Sequence, residues 1–249
     1  MEIGRLLTAM ITPFDENGEI NYDMAAKLSK AIIDSGSDGL VIGGTTGEAP
    51  TINDQEKLKL FSVVKESIGS EHALIAGTTN NNTKESVKLS KLAEAAEVDG
   101  LLLTVPSYNK PTQDGLYQHF RAISEEVSIP CILYNVPSRT SLNMTDETTI
   151  KLSDLKNIVG IKEASRDLDQ ITRIISNTSD DFKVWSGNDN ETLYILAAGG
   201  YGIVSVAGHI VSSQIKELIG HILEGNIEVA GKEHQRLLEF FNIIFIVTN

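Results

Sequence analysis

The sequence predicts an α/β protein of the (β/α)8 type, a TIM barrel followed by an incomplete C-terminal helical segment. Amphipathic helical stretches alternate with short apolar runs, which favours parallel strands joined by helical crossovers. The chain has 249 residues, a length typical of such a barrel. A doubly wound open sheet is the competing architecture, but eight evenly spaced units fit a closed barrel better. The eight strand-like runs lie at 6–11, 39–43, 73–77, 100–105, 130–134, 157–162, 182–186 and 202–206.

Helix starts are marked by residues that commonly cap helices. Thr51 or Asn53 precedes a helical pattern over 54–68, and Thr83 precedes the segment Lys84–Ala96. We place the barrel at residues 1–223 and the start of a C-terminal helical domain, expected to be truncated, at 224–249. Because residues 240–247 are largely apolar, we expect them to pack on the barrel, join subunits or require covering helices that the chain lacks.

Composition narrows the possible partners. The chain carries 34 acidic and 21 basic residues, a net charge of −13, which argues against nucleic acid and acidic membrane surfaces as partners. The N-terminal residues lack the features of an export signal and no run reaches transmembrane length, so we expect a cytoplasmic protein. The single cysteine, Cys131, lies in an apolar run and is interpreted as a core residue rather than a catalytic thiol.

Lys162 is the residue with the clearest chemical implication. It closes the apolar run 158–161, which we interpret as a buried strand that brings one amine to its carboxyl end. Burial among apolar neighbours disfavours the ammonium form, so such a lysine can attack a carbonyl carbon and form a Schiff base. The alternative interpretation is a solvated lysine that begins the polar loop 163–166.

Other strand ends of the predicted barrel also carry polar groups. Gly43–Glu48 after the second strand is a turn in which glycines and two threonine hydroxyls can surround an anion, although many such turns are only turns. Tyr134 ends the fifth strand and would place a phenol at the mouth of the barrel, whereas Arg139 lies in the following loop and suits carboxylate binding. The alternatives are a tyrosine whose ring packs in the core and an arginine at the surface. Tyr108 follows the fourth strand in a loop bracketed by prolines, and a rigid surface turn is its alternative.

Together these groups supply a nucleophile, proton-transferring hydroxyls and a carboxylate-binding cation, the components of a site that condenses a keto acid. We find no metal-ligand spacing, dinucleotide-binding fingerprint or P-loop, and we therefore expect no metal and no nucleotide cofactor. Phosphate binding near Gly199–Gly202 and Ala207-Gly208 is a weaker alternative, because no helix-opening anion loop follows both of the last two strands.

These motifs resemble the dihydrodipicolinate synthase family, within the superfamily of pyruvate-dependent lysine aldolases that includes N-acetylneuraminate lyase. The resemblance runs through essentially the whole chain, and its motifs fall on successive predicted strand ends. The matching segments are Thr12-Pro13-Phe14, GGTTGE at 43–48, SYNKP at 107–111, YNVPSRT at 134–140, GIKEA at 160–164 and SGND at 186–189.

The resemblance implies the chemistry and the residues that perform it. Lys162 would form an imine with pyruvate, and the derived enamine would attack L-aspartate 4-semialdehyde to give 4-hydroxy-tetrahydrodipicolinate. Tyr134 would donate and accept protons, and Thr45 would relay them between Tyr134 and Tyr108 of a neighbouring subunit. Thr46 and nearby backbone amides would hold the pyruvate carboxylate.

Three further positions follow from the same resemblance. Arg139 matches the guanidinium that binds the carboxylate of the aldehyde in the synthases, whereas Gly187 and Ile203 match positions whose backbone lines the pocket. The family also implies a homo-oligomer, a dimer or a tetramer built from dimers. The rival functions are a pyruvate or 2-keto-3-deoxy-sugar-acid aldolase on the same scaffold and a catalytically silent barrel subunit.

The effector site of the family is altered in this chain. Asn81 and Glu85 match the polar residues of the site at which lysine inhibits some members, whereas Ser107, Ala49 and Lys57 depart from its usual set. Ser107 replaces the first tyrosine of the family loop, and Lys57 adds a positive charge where a cationic effector would bind.

We therefore predict weak or absent inhibition by lysine. The measurement is the inhibition of the purified enzyme as a function of lysine concentration. Strong inhibition of the unaltered protein at low lysine concentration would contradict the prediction.

Overall fold

The computed structural model describes residues 3–247 and confirms the predicted closed barrel. All eight strands pair in parallel in chain order, and β1 pairs with both β2 and β8, so that no sheet edge is left open. Residues 1–2 of the N-terminal segment and 248–249 of the apolar tail lie outside the described residues. The strands are β1 Leu6–Ala9, β2 Gly39–Ile42, β3 Ala73–Gly77, β4 Gly100–Thr104, β5 Cys131–Asn135, β6 Ile158–Glu163, β7 Lys183–Ser186 and β8 Gly202–Ser205.

Helices connect the strands on the outside of the barrel. Asn53 caps the second helix through a reciprocal pair of hydrogen bonds with Glu56, as one of the two predicted starts required. The predicted start of the third helix was displaced by one residue, because Asn82 accepts the capping hydrogen bond and Thr83 instead pairs with His119. The helices are α1 Tyr22–Asp34, α2 Asp54–Ile68, α3 Thr83–Ala95, α4 Gln113–Ser124, α5 Pro137–Thr140, α6 Asp146–Ser153, α7 Leu168–Asn177, α8 Thr192–Ala197, α9 Gly208–Leu223 and α10 Ile227–Ile243.

The strands separate two apolar layers. Residues such as Val41 and Ile75 belong to a cluster formed mainly inside the barrel, whereas their neighbours Leu40 and Leu74 pack in the layer between strands and helices. This division follows from the alternation of side chains along a strand. Cys131 is completely buried, and burial raises the pKa of its thiol to about 12, in agreement with the predicted core role.

The last helix packs on α9 beside β8. Its buried face, which includes Leu237 and Phe241, belongs to an apolar cluster with α9. Beyond Phe241 the chain is largely exposed, with exposed fractions of 60% at Ile243 and 80% at Ile246. The predicted apolar tail is therefore only partly covered in the isolated chain. Within residues 3–247, no helix combines the length and apolar character needed to span a bilayer.

Candidate active site

Lys162 and Tyr134 lie side by side near the carboxyl ends of β6 and β5. The two residues are direct partners in the parallel pairing of these strands, and the Lys162 Nζ stands 4.1 Å from the centre of the Tyr134 ring. Both side chains are buried, with exposed fractions of 5%. The register of β5 and β6 therefore brings the Lys162 amine and the Tyr134 ring together.

Burial of Lys162 favours the neutral form of its amine, which is the form that can attack a carbonyl carbon. Burial lowers the pKa of the Lys162 amine to about 8; the negative charge of Asp189 opposes this fall, and the positive charge of Arg139 adds to it. A substantial fraction of the amine is therefore neutral near pH 8, which an exposed lysine would not achieve. The alternative of a solvated lysine is wrong.

Tyr134 keeps its proton over the physiological pH range. Burial raises the pKa of its phenol to about 12, against the lowering effects of the Arg139 charge and of a side-chain hydrogen bond with Thr45. A neutral phenol can donate a proton to a developing oxyanion and recover it through a hydroxyl partner. The Tyr134–Thr45 pair supplies this arrangement.

The turn after β2 brings Thr45 and Thr46 to the same end of the barrel. Gly43 adopts a φ of 67°, which favours glycine, and a side chain at Gly77 of the neighbouring strand would lie 2.2 Å from the Gly43 carbonyl oxygen. The Thr12 hydroxyl donates to the Gly47 carbonyl at 2.6 Å and fixes the far side of the turn. Gly43 is therefore required by its backbone conformation, and Gly77 by close packing against the Gly43 backbone.

A cavity of about 680 Å³ opens above this turn. Gly44, Thr45, Thr104 and Arg139 are among its lining residues, whereas Lys162 and Tyr134 are not. Thr45 connects the two regions, because it lines the cavity and also hydrogen bonds to Tyr134. Arg139 follows β5 on the short helix α5 and supplies a cation at the cavity wall.

The remaining predicted site residues are placed differently. Tyr108 has a φ of 68° and is 89% exposed, so its phenol lies in solvent and does not pack against the buried Lys162 in the isolated chain. The Gly187 N–H donates to the Glu163 carbonyl at 2.7 Å and ties the loop after β7 to the end of β6. The Ile203 side chain packs in the apolar cluster with α9, so only its backbone could reach a pocket. The roles of these residues stay predictions.

The same cavity is lined by four of the five residues named above for the altered effector site. Ala49, Lys57, Asn81 and Ser107 all line it, whereas Glu85 is not among the lining residues. Burial lowers the pKa of Lys57 relative to a free lysine, and the charge of Asp54 opposes that shift. The predicted weak response to lysine stays a prediction.

Glu163 corrects the sequence interpretation, which assigned it to a polar loop. It is the last residue of β6 and is completely buried. Its carboxyl group accepts hydrogen bonds from the Asn135 amide at 3.2 and 3.3 Å, the Gln170 amide at 3.3 Å and the Ser165 N–H at 2.8 Å. Burial raises its pKa to about 7, although these hydrogen bonds act in the opposite direction. The group anchors β6 to β5 and α7 on the face opposite Lys162.

Asp189 is the second buried carboxyl group that the sequence interpretation missed. It lies three residues beyond β7 and is 2% exposed. Its position in the segment SGND, directly after a predicted strand, was the available signal, but the residues alone did not indicate what its carboxylate faces. Burial raises the pKa of Asp189 above that of a free carboxyl group, and the charge of Lys162 opposes that rise.

A family model described as the dihydrodipicolinate synthetase family matches residues 2–249. The chain belongs to this family. Among curated relatives, the 4-hydroxy-tetrahydrodipicolinate synthase of Dehalococcoides mccartyi is 52% identical over 248 residues, which are 100% of this chain and 84% of the relative. The 4-hydroxy-tetrahydrodipicolinate synthase 1 of Halalkalibacterium halodurans is 48% identical over 249 residues, with the same two coverages.

Solved structures of family members share the fold of this chain. Dihydrodipicolinate synthase of Bacillus anthracis is 42% identical to this chain, with a TM-score of 0.97. The match covers 99% of this chain and 85% of that one. The enzyme of Cyanidioschyzon merolae, solved with lysine bound, has a TM-score of 0.98 at 42% identity and the same coverage. These matches confirm the predicted family and the (β/α)8 architecture.

We predict that Glu163 makes the stability of this family member depend on pH. The pKa of Glu163 in the folded chain lies above that of a free carboxyl group. Its contribution to the free energy of unfolding is therefore fully present at low pH and is lost as pH rises toward about 7. Between about pH 5 and 7 the free energy of unfolding of the unaltered chain should therefore fall by on the order of 1 kcal/mol per pH unit because of Glu163. Replacement of Glu163 by glutamine should remove this fall.

The measurement is the free energy of unfolding by chemical denaturation at several pH values for the unaltered chain and for E163Q. The exposed Glu147→Gln exchange is the matched control, since it removes a carboxyl group at the surface. Parallel pH dependences for the unaltered chain and E163Q would show that Glu163 has no such effect.

Proposed function

We propose that this protein is a 4-hydroxy-tetrahydrodipicolinate synthase that condenses pyruvate with L-aspartate 4-semialdehyde through a Schiff base on Lys162. The observation that carries the proposal is the buried Lys162 amine, whose pKa is lowered to about 8 by burial, beside the Tyr134 phenol. The relatives that bear this name span the whole chain at about half identity, which supports the choice of substrates.

The first stage joins pyruvate to the enzyme. The neutral Lys162 amine attacks the keto carbon, the keto oxygen accepts protons and leaves as water, and a protonated imine remains. Loss of a proton from the pyruvate methyl carbon then gives the enamine. The Tyr134–Thr45 pair is the proposed proton carrier in these steps, because the two side chains are hydrogen bonded and the Lys162 amine lies against the Tyr134 ring. Thr46 and the backbone of the same turn are proposed to hold the pyruvate carboxylate.

The second stage forms the carbon–carbon bond. The enamine carbon attacks the aldehyde carbon of the semialdehyde, and the resulting alkoxide takes up a proton. The amino group of the second substrate then attacks the imine carbon, displaces Lys162 and closes the ring. Arg139 at the cavity wall is the proposed partner of the carboxylate of the second substrate, because a guanidinium can bind it through two hydrogen bonds.

Tyr108 is proposed to act in a neighbouring copy of the chain. Its phenol is exposed to solvent in the isolated chain and does not pack against the buried Lys162, which supports a role across an interface in a homo-oligomer. The backbone of Gly187 and Ile203 is proposed to line the pocket beside the imine.

Trapping of the imine tests the proposal. Borohydride reduction in the presence of pyruvate should attach the pyruvate carbons to Lys162, detected by peptide mass spectrometry. Below about pH 8 the trapping rate should rise about tenfold per pH unit, because only the neutral amine attacks, and it should level off above that pH.

Two lysine variants make this test specific. Lys162→Met should abolish the adduct, whereas Lys183→Met on the neighbouring strand β7 should retain it, because the Lys183 ammonium donates to a surface carbonyl group. An adduct on another lysine, or none on folded protein, would overturn the proposal.

Arg139 provides a second test, which separates the synthase from a sugar-acid aldolase. Replacement by alanine should lower kcat/KM for the semialdehyde by about 10- to 100-fold, the effect of losing a charged hydrogen-bonding partner. Imine trapping with pyruvate at about pH 9, where the Lys162 amine is mostly neutral in either protein, should change by less than about threefold.

Arg139→Lys is the matched variant, because it keeps the charge and loses the fork of donors. It should fall between the unaltered protein and R139A in semialdehyde turnover. An equal loss of trapping and condensation in R139A, or faster cleavage of sugar acids than synthesis from the semialdehyde, would contradict this assignment.

A further inference from the structure

Arg139 is carried by a loop that leaves the barrel at the end of β5 and returns beside it. This loop, residues 136–144 and called the Arg139 loop, contains the four-residue helix α5. Helices of this length are not stable by themselves. Ser141, the residue after α5, has a φ of 57°, in the left-handed region that residues with a side chain seldom adopt. The loop therefore needs contacts outside itself to keep one conformation.

Asn135, the last residue of β5, closes the Arg139 loop. Its side chain is completely buried. The Asn135 Nδ2 donates to the Asn143 Oδ1 at 2.8 Å and to the Met144 carbonyl at 3.3 Å, and the Asn135 Oδ1 accepts from the Met144 N–H at 3.0 Å. One side chain thus joins the start of the loop to residues that lie eight and nine positions further along the chain.

Two glutamines from the surrounding helices also hold the end of the loop. Gln170 of α7 accepts from the Asn143 Nδ2 at 2.7 Å and donates to the Met144 carbonyl at 3.2 Å. Gln113 of α4 donates to the Asn143 carbonyl at 2.8 Å. The end of the loop is therefore held from β5, α7 and α4. A buried network whose members are hydrogen bonded in this way favours a single conformation.

Strand register places this network one step beyond the proposed catalytic pair. Asn135 pairs with Glu163 between β5 and β6, and the preceding pair is Tyr134 and Lys162. Because side chains alternate along a strand, the two pairs face opposite sides of the barrel wall. The side-chain amides of Asn135 and Gln170 also donate to the Glu163 carboxyl group, at 3.2 and 3.3 Å. The loop is thus tied to the same two strand ends that carry Tyr134 and Lys162.

We propose that Asn135, Asn143 and Gln170 are positioning residues that determine how well the site selects the carboxylate of the second substrate. They hold the Arg139 loop, and Arg139 is the proposed partner of that carboxylate. The inference rests on the proposed function and on the role that it gives to Arg139. None of the three residues lines the cavity, so they act on the substrate through the loop.

The physical reason is the geometry of a guanidinium–carboxylate pair. Two parallel N–H···O hydrogen bonds form only when the planar guanidinium faces the carboxylate. A loop without its anchors samples several conformations, and binding of the second substrate then costs additional conformational entropy. Pyruvate, whose proposed partners are Thr46 and the turn after β2, does not meet this cost. A defect confined to the second substrate therefore distinguishes positioning of Arg139 from general damage to the barrel.

The test uses Asn143→Ala, because Asn143 is only partly buried and lies outside the strands. The variant should lower kcat/KM for the semialdehyde about three- to tenfold, the effect of losing hydrogen-bonded anchors. The pyruvate concentration that gives half-maximal imine trapping at about pH 9 should change by less than about twofold. In the R139A background the same exchange should lower kcat/KM by less than about twofold further, because no guanidinium remains to be positioned.

Asn157→Ala is the matched control. Asn157 is also partly buried, and its Nδ2 donates to the Ser124 and Val127 carbonyls at 2.8 and 2.9 Å. It precedes β6, at the end of the barrel opposite the Arg139 loop. Loss of this asparagine should leave both kcat/KM for the semialdehyde and pyruvate trapping unchanged.

Gln170→Met covers the case in which N143A does not fold, as judged by thermal melting. Methionine fills a similar volume and removes the hydrogen bonds from α7 without altering the loop itself. The variant should show the same selective loss. Unchanged semialdehyde turnover in a folded variant, equal weakening of turnover and pyruvate trapping, or a loss that persists in full in the R139A background would overturn the inference. Absence of a Lys162 adduct in the unaltered protein would instead overturn the proposed function.

Discussion

Burial of a primary amine inside the barrel is the constraint on which the rest of the site depends. Transfer of an ammonium group into an apolar interior is unfavourable, so the protein either neutralises the amine or supplies a countercharge. At Lys162 both effects are present. Burial lowers the pKa of the amine to about 8, and the negative charge of Asp189 opposes this fall. The result is a buried amine whose neutral form is well populated near pH 8.

The barrel supports this arrangement through strand register. Lys162 is paired with Tyr134 on one side and with Trp185 on the other, so its position is fixed by two neighbouring strands. The alternation of side chains then places Glu163 outside the barrel, where it binds amide groups of β5 and α7. Lys162 thus faces the interior of the barrel, whereas the adjacent Glu163 faces outward and forms the hydrogen bonds that anchor the strand.

The charge distribution of the site differs from that of the whole chain. The net charge of −13 would repel anionic substrates if it were spread evenly around the cavity. Arg139 provides a local cation at the cavity wall, and Lys57 provides another farther along it. Substrate selection by an acidic protein is therefore a matter of a few positioned charges, because exposed charges at longer distances are screened.

The sequence by itself determined the order of the elements and the place of Lys162 at the end of a buried strand. Eight apolar runs separated by helical patterns predict a closed barrel, and Lys162 at the end of one run predicts its chemistry, because local pattern decides which residues are strands and where strands stop. The predicted start of the third helix was displaced by one residue, because Asn82 and Thr83 are adjacent polar residues and either can cap a helix. In the structure Asn82 accepts the capping hydrogen bond, and Thr83 contacts His119.

Only the tertiary structure decided how distant residues combine. Glu163 and Asp189 have carboxyl groups that a sequence interpretation assigns to solvent, and both are buried with hydrogen-bond partners that include Asn135 and Ser205, 28 and 16 residues away in the chain. The pKa of Lys162 likewise depends on burial and on charges contributed by other strand ends. Such partners are fixed when the barrel closes, because burial and charge pairing are properties of the assembled interior.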